Sequence, residues 1–300
     1  MRLGSLASQS GPGIWAQRQA LRLSARRIVT PFAPLIVCDY YLSTEVDSLG
    51  LQWLNRKARN LRLVKVTKVS PLVFFCQADE VAEFISRVLP QISGAFVLIT
   101  GKWELPAIQE EDFRDEILSH PQFAAWYTQN QIFSKNRVNP FPYGVRLENA
   151  PLVAWMSLRR KRAKIASPVL VPYCKEHLHL SPEVAADRRL VSEFMSEKKP
   201  LQAYLEDVLT HRYVVSPAGD RPDTYRHWEC ILLGSYPVSN QREALFPLFG
   251  KDMIYVSSLE DAISGSFRHS IPPPNYRLGL VSDWRARIRH DLGSHRGQPT

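Results

Sequence analysis

The stretch from Pro71 to Gly101 constrains the fold of this 300-residue chain more than any other. It reads PLVFFCQADEVAEFISRVLPQISGAFVLITG, with a short apolar run at each end. Between these runs, residues 79–88 open with acidic side chains and then follow the apolar spacing of an amphipathic helix. A helix between two buried strands predicts a right-handed crossover that joins parallel strands. The first half of the chain is therefore expected to be an α/β layer domain.

The same reading along the whole chain predicts a basic leader and two domains. Residues 1–30 hold five arginines and no acidic residue, which is typical of an organellar targeting leader or of a frayed basic terminus. Residues 31–155 are expected to form an N-terminal α/β domain. Residues 156–300 are expected to form a C-terminal α/β domain that ends in a helix returning across the surface. The boundary is predicted within residues 152–166.

Several elements are predicted within these domains from apolar spacing and end signals. Strands are expected from Pro34, over residues 61–69, where LRLVKVTKV alternates at period two, and over residues 168–173. A helix is expected to begin at Pro182, because Ser181 is a suitable N-cap.

The charge of the chain favours anionic partners. Lysine and arginine number 38 against 29 acidic residues, a formal net charge of +9. Nucleic acid, a membrane surface and phosphorylated small molecules all remain open on this ground. The acid-free run 149–175 contains RRKRAK at residues 159–164, for which a solvated basic face or a linker is the alternative to an anion-binding surface.

The cysteines and the hydropathy pattern indicate the compartment. The four cysteines lie far apart, a pattern of reduced and mostly buried thiols rather than a disulfide framework. No window approaches the roughly 20 apolar residues needed to cross a bilayer, so no integral membrane segment is expected. A cytoplasmic location is predicted, with an organelle as the alternative if the basic leader directs the chain there.

Residues 213–240, YVVSPAGDRPDTYRHWECILLGSYPVSN, predict a strand, a loop, a helix and a second strand. Asp223 is expected to be the helix N-cap and Gly234 its C-terminal stop. A helix that begins at the carboxyl ends of parallel strands provides free N–H groups and a positive dipole end, which suit a diphosphate. Arg226 and Glu229 share one helix face and suit a phosphate and a sugar diol, although an exposed ion pair is the alternative.

This stretch resembles the signature of exostosin-like glycosyltransferases, over about 25 residues. The matching positions are Ser216, Pro217, Gly219, Asp223, Arg226, Glu229, Gly234, Pro237 and Val238. Three blocks of the first half, FVLITG at 96–101, WYTQN at 126–130 and PFPYGV at 140–145, are fainter likenesses in the same order.

The resemblance implies a GT-B architecture, with two Rossmann-like domains facing a cleft and the sugar donor held by the C-terminal domain. The resemblance implies that residues of the motif bind the donor, and Arg188, on the predicted helix before the motif, is a further candidate. The donor-binding residues are therefore expected to be Ser216, Gly219, Arg221, Asp223, Thr224, Arg226, Glu229 and Arg188. Ala218 departs from the family pattern, in which a basic residue is usual. Arg221 is a candidate to replace that cation. Arg188 and Arg189 are further candidates for the phosphate site, with a solvated helix face as the alternative.

The sequence favours chemistry without a metal or another cofactor. The segment CKEHLH offers Cys174, His177 and His179 as ligands, but a structural zinc needs a fourth, and a polar loop is the alternative. The chain has no D-x-D pair, so no metal site is expected. For a catalytic base the first candidate is Asp39, read as the end of the strand LIVCD, ahead of Glu104 and His120. A turn-forming role is the alternative for Asp39.

Three functions follow from these features. The first is transfer of a sugar from a nucleotide diphosphate sugar to the hydroxyl of a glycan or another acceptor. The second is a degenerate GT-B protein that binds a nucleotide or a glycan without turnover. Ala218, in the place of a basic residue, favours this second function. The third, binding of nucleic acid through the basic segments, is disfavoured because no known reading module is present.

Overall fold

The chain divides into two units, and the first of them contains both ends of the chain. Residues 1–142 and 281–300 form the first unit, and residues 143–280 form the second. In the computed structural model the described residues are 12–66, 71–101, 111–129, 135–160, 169–174, 181–219, 221–267 and 272–295. The observed division at 142/143 precedes the predicted boundary within 152–166. The last helix belongs to the first unit and not, as predicted, to the second.

The first unit is built on a six-stranded parallel sheet with the order β2-β1-β3-β4-β5-β6. Its strands are β1 Tyr40–Leu42, β2 Arg59–Asn60, β3 Leu72–Gln77, β4 Phe96–Gly101, β5 Phe123–Thr128 and β6 Val138–Pro140. Strands β3 and β4 pair in parallel with Leu72 opposite Phe96, so the predicted parallel pairing of these two strands is confirmed. Both strands are almost continuously apolar, as strands buried on both faces of a sheet must be.

Helices flank this sheet. They are α1 Pro12–Arg27, α2 Ala33–Val37, α3 Thr44–Ser48, α4 Val81–Glu83, α5 Glu111–Ser119 and the C-terminal helix Val281–His295, with short 3₁₀ turns at Leu51–Leu54, Ala78–Glu80 and Leu89–Gln91 and a π turn at Phe84–Val88. The predicted helix 79–88 is thus real but irregular. Part of the predicted leader, α1, buries Leu21 and Ala25.

Two predicted strands of the first unit are wrong in part. The segment from Pro34 begins as helix α2, because proline fits the first helical turn, and the strand starts only at Tyr40. Of the stretch 61–69, residues 61–66 form turns and coil, and the rest lies outside the described residues. Alternating apolar residues there find no common buried face, since Leu61 is buried but Leu63 is 81% exposed.

The second unit has a smaller parallel sheet with the order β7-β8-β9. Its strands are β7 Tyr213–Val215, β8 Tyr236–Ser239 and β9 Ile254–Tyr255, and its helices are α6 Ala150–Ser157, α7 Pro182–Ser192, α8 Leu201–Thr210, α9 Tyr225–Leu233, α10 Arg242–Phe249 and α11 Leu259–Ser264, with 3₁₀ turns at Leu147–Asn149, Gly250–Asp252 and Tyr276–Gly279. Of the strand predicted over residues 168–173, Pro168 lies outside the described residues, and the rest forms one bridge, between Leu170 and Val214. Ser181 caps α7 as predicted.

The structure establishes a mixed α/β fold with parallel sheets. Within the described ranges, no helix combines the length and the apolar character that a membrane crossing requires.

Candidate functional site

The site lies where β7 ends and α9 begins, in residues 216–229 of the second unit. The N-cap of α9 is Thr224, so the prediction of Asp223 as the cap is wrong. Thr224 and His227 cap each other, with Thr224 N donating to Nδ1 of His227 at 3.0 Å. The helix ends as predicted at Gly234, which adopts the left-handed conformation at φ 84°.

Asp223 ties the loop to the rest of the unit instead of capping the helix. Its Oδ2 accepts from Tyr143 N at 2.8 Å and from Trp228 Nε1 at 3.0 Å. Burial raises the pKa of Asp223, while these two hydrogen bonds and the charge of Arg221 act in the opposite direction. The carboxylate of Asp223 therefore anchors the loop to Tyr143 and Trp228. Both hydrogen bonds use the same oxygen, Oδ2.

His227 joins the helix start to the end of β7. Because Nδ1 accepts from Thr224, the proton is on Nε2, which donates to Ser216 O at 3.0 Å. Burial lowers the pKa of His227 to about 4, and the nearby charges of Arg226 and Arg188 add to the effect. Sequence reasoning missed this residue, although its position three residues after Thr224 is where the partner in a capping box is expected.

Arg188 reaches this loop from α7, a separate part of the sequence. Its Nε donates to Ala218 O at 2.9 Å, and the side chain is only 9% exposed. A Cβ added at Gly219 would lie 3.2 Å from Nη2 of Arg188 and 3.3 Å from Cγ2 of Thr224. Glycine thus lets the loop backbone approach a buried guanidinium closely. Arg189, the other arginine predicted here, is exposed.

Ser216 precedes Ala218 and Gly219 of the loop in the sequence, and Arg221 follows them. Ser216 N donates to Val238 O at 2.9 Å, and its buried Oγ makes no hydrogen bond with any described residue. The Arg221 guanidinium lies 3.8 Å from the centroid of the Tyr143 ring. The cation beside Ala218 is therefore Arg188, whereas Arg221, the predicted replacement, stacks on an aromatic ring.

Arg226 and Glu229 point into the second unit. Arg226 donates through Nη1 to Cys174 Sγ at 2.7 Å and through Nη2 to Tyr173 O at 2.6 Å. Glu229, 5% exposed, accepts through Oε2 from Tyr204 Oη at 2.9 Å. Burial raises the pKa of Glu229, opposed by the Tyr204 hydrogen bond and the charge of Arg226. The alternative of an exposed ion pair between the two residues is therefore wrong.

The structure speaks against Asp39 as the catalytic base. Asp39 precedes β1 and lies at the amino edge of the sheet, where its Oδ2 accepts from Val73 N at 3.0 Å. Ligands of parallel α/β sheets lie outside the carboxyl ends of the strands. The prediction read LIVCD as a strand, but its first residues belong to helix α2. His120 precedes β5 and packs its ring on Phe96, and Glu104 lies outside the described residues.

The structure tests only part of the metal hypothesis. His177 and His179 lie outside the described residues, and Cys174 accepts a hydrogen bond from Arg226. In the ranges that the structure describes, no group of three or more histidine, cysteine or acidic side chains is arranged to hold a metal ion.

Comparison of the chain with models of known protein families gave no match, and comparison with curated proteins gave none either.

Proposed function

We propose that this protein is a glycosyltransferase that transfers a sugar from a nucleotide diphosphate sugar to a hydroxyl acceptor, with the donor bound by the second unit. Two α/β units with parallel sheets are compatible with the GT-B architecture that the sequence resemblance implies. The observation that carries the proposal is the placement of Arg188 against the loop at residues 218 and 219, at the carboxyl end of β7.

The donor diphosphate would bind at this loop. The capping of α9 engages the N–H groups of Thr224 and His227, which leaves those of Tyr225 and Arg226 as the donors at the helix start. Arg188 adds a guanidinium at Ala218 and Gly219 of the same loop, and a planar fork suits two phosphate oxygens. These fixed positive groups would stabilise the charge that develops on the leaving diphosphate, a role that a metal ion has in other enzymes.

The ribose or the sugar would bind at Glu229. Its Oε2 is held by Tyr204, and no described residue hydrogen bonds to its Oε1. A carboxylate oxygen of this kind accepts from a hydroxyl of a diol. The side chain of Arg226, bonded to Tyr173 and Cys174, would fix the position of the helix and keep a positive charge near the carboxylate of Glu229. Its backbone N–H would donate to phosphate.

Binding without turnover is a second candidate, and two observations favour it. Asp39 lies at the amino edge of its sheet, and Ala218 stands where the family pattern has a basic residue. Both candidates share the donor site and differ only in whether a bound donor is consumed.

A thermal-shift panel tests the donor site. UDP, GDP, ADP and CMP and their sugar conjugates would be added to the wild type and to Arg188→Gln. A ligand at a hundredfold over its Kd stabilises the native state by about 2.7 kcal/mol. We expect one nucleotide to stabilise the wild type and to bind Arg188→Gln at least about tenfold more weakly, since a charged hydrogen bond contributes about 1.5–3 kcal/mol.

Arg189→Gln is the matched control, because the neighbouring side chain on α7 is exposed. It should bind the nucleotide as the wild type does. Equal affinity in all three proteins would contradict the proposed site. Release of the nucleotide diphosphate from its sugar conjugate in the presence of hydroxyl acceptors then separates transfer from binding alone.

A further inference from the structure

Helix α1 presents apolar side chains to solvent. Trp15 is 65% exposed and Leu23 is 66% exposed. They are eight residues apart, so they lie on one side of the helix, and Leu21 and Ala25 bury the other side. Arg22 and Arg26 lie on the same side as Trp15 and Leu23, because residues 15, 19, 22, 23 and 26 follow the spacing of three to four that aligns side chains along a helix.

Other arginines of the first unit adjoin this helix. Arg285 and Arg289 come from the C-terminal helix, which contacts α1. Burial lowers the pKa of Arg285, and the charges of Arg289 and Arg26 lower it further. Burial likewise lowers the pKa of Arg22, with Arg26 and Arg56 adding to it. These are cations that repel one another, and in the described chain none of them forms an ion pair with a carboxylate.

An open cavity of about 380 Å³ lies beside Arg285 and Arg289, at the amino edge of the six-stranded sheet. Its apolar wall is made by Val37, Val73, Ile288 and Leu292, and Asp39 contributes its one acidic side chain. Here, as on α1, arginines lie next to apolar side chains, but those of the cavity wall are mostly buried, with Val73, Ile288 and Leu292 at 6%, 1% and 8% exposed. We call the set Trp15, Arg22, Leu23, Arg26, Arg285 and Arg289 the arginine face.

We propose that the arginine face docks the protein on an anionic lipid bilayer, with the four arginines at the phosphate level and Trp15 and Leu23 in the interfacial region. Charge complementarity selects an anionic partner. The exposed tryptophan and leucine select a bilayer over a soluble polyanion, because the interface of a membrane receives apolar side chains and favours tryptophan. An amphipathic helix with arginine and tryptophan or leucine is the type of element that lies in such an interface.

Vesicle flotation with the full chain tests the proposal. Vesicles of phosphatidylcholine with about 30% phosphatidylserine are compared with pure phosphatidylcholine, since basic residues respond to anionic lipid. We expect the wild type to float only with the anionic vesicles. Arg26→Gln with Arg289→Gln should lower the partition coefficient about 25-fold, at about fivefold per arginine near the surface. Trp15→Ser with Leu23→Ser should lower it by about tenfold or more.

Two controls match these variants. Phe194→Ser removes a 56% exposed apolar side chain of the second unit, and Lys198→Gln with Lys251→Gln removes two exposed cations there. Both should float like the wild type. No flotation of the wild type with anionic vesicles, or an equal loss in the controls, would overturn the proposal. Unchanged flotation of Trp15→Ser with Leu23→Ser, together with full competition by heparin, would instead identify a soluble polyanion as the partner and overturn it as well.

Discussion

The two units bury different kinds of side chain. Within the described residues, Glu80 is the one charged or imidazole side chain that is buried in the first unit. The second unit buries Arg188, Arg221, Asp223, His227 and Glu229, four of them within residues 221–229. Its sheet is also the smaller, with three strands against six.

This difference indicates where folding and function make separate demands. An apolar sheet core is stable without buried charge, because burial of apolar surface is favourable by itself. A buried charge loses hydration, and replacing a buried ion pair by apolar residues is often neutral or stabilising. Ionisable groups gathered around one loop at a strand end are therefore expected to serve binding or catalysis.

The largest expected effect tests whether apolar burial holds the first unit. Phe74 is fully buried and its ring stacks with Tyr40 at 5.7 Å between centroids and meets Phe84 and Phe96 edge-on. Phe74→Ala should lower the free energy of unfolding by about 3–5 kcal/mol through lost burial and a cavity. Denaturant unfolding measures it. Leu63→Ala, at an 81% exposed position, should stay within about 0.5 kcal/mol. Similar losses in both variants would break the comparison.

The fold of the first unit could be predicted where local pattern and tertiary environment agree. Strands β3 and β4 are long apolar runs on either side of an acid-opened segment, so their type and pairing followed from the sequence. The predicted strands at 34–37 and 61–66 failed because an apolar or alternating pattern fits several environments. There, Pro34 at the start of a helical turn and the absence of a buried face decided the outcome.

The site could be predicted only as far as one segment of chain defines it. The loop, the helix and its end at Gly234 follow from residues 213–240 alone. The partners of that segment come from elsewhere: Tyr143 on Asp223, Arg188 on Ala218 and Tyr204 on Glu229. Contacts across such sequence separations leave no local pattern. The exposed alternative for Arg226 and Glu229 failed for this reason.

A smaller effect tests whether the buried ionisable residues around His227 determine the stability of the second unit. His227 keeps a folded pKa of about 4, below its ordinary value of 6.5, so the unfolded chain binds a proton between these pH values and the native protein does not. The contribution of His227 to the free energy of unfolding is therefore complete above pH 6.5 and is lost as the pH falls towards 4. The loss should be about 3 kcal/mol over this range, at about 1.4 kcal/mol for each pH unit.

His227→Asn removes this titration, so its unfolding free energy should depend less on pH between 7 and 4 than that of the wild type. His290→Asn is the control for loss of an exposed histidine in the first unit, away from the buried ionisable residues around His227. Denaturant unfolding at a series of pH values measures both. A His227→Asn curve parallel to the wild type would show that acid stability of the unit does not depend on this buried imidazole.

The smallest effect compares one glycine from each unit. Gly234 ends α9 at φ 84°, a conformation that L-residues adopt at a cost of about 1–2 kcal/mol, so Gly234→Ala should destabilise by about that amount. Gly293 lies within the C-terminal helix, and a Cβ there meets no atom within 4 Å. Gly293→Ala should therefore stabilise by about 0.5–1 kcal/mol through helix propensity. Thermal unfolding measures the change in stability of each variant. Changes of opposite sign would show that the end of α9 requires a glycine, whereas the C-terminal helix does not. Equal signs would remove that distinction.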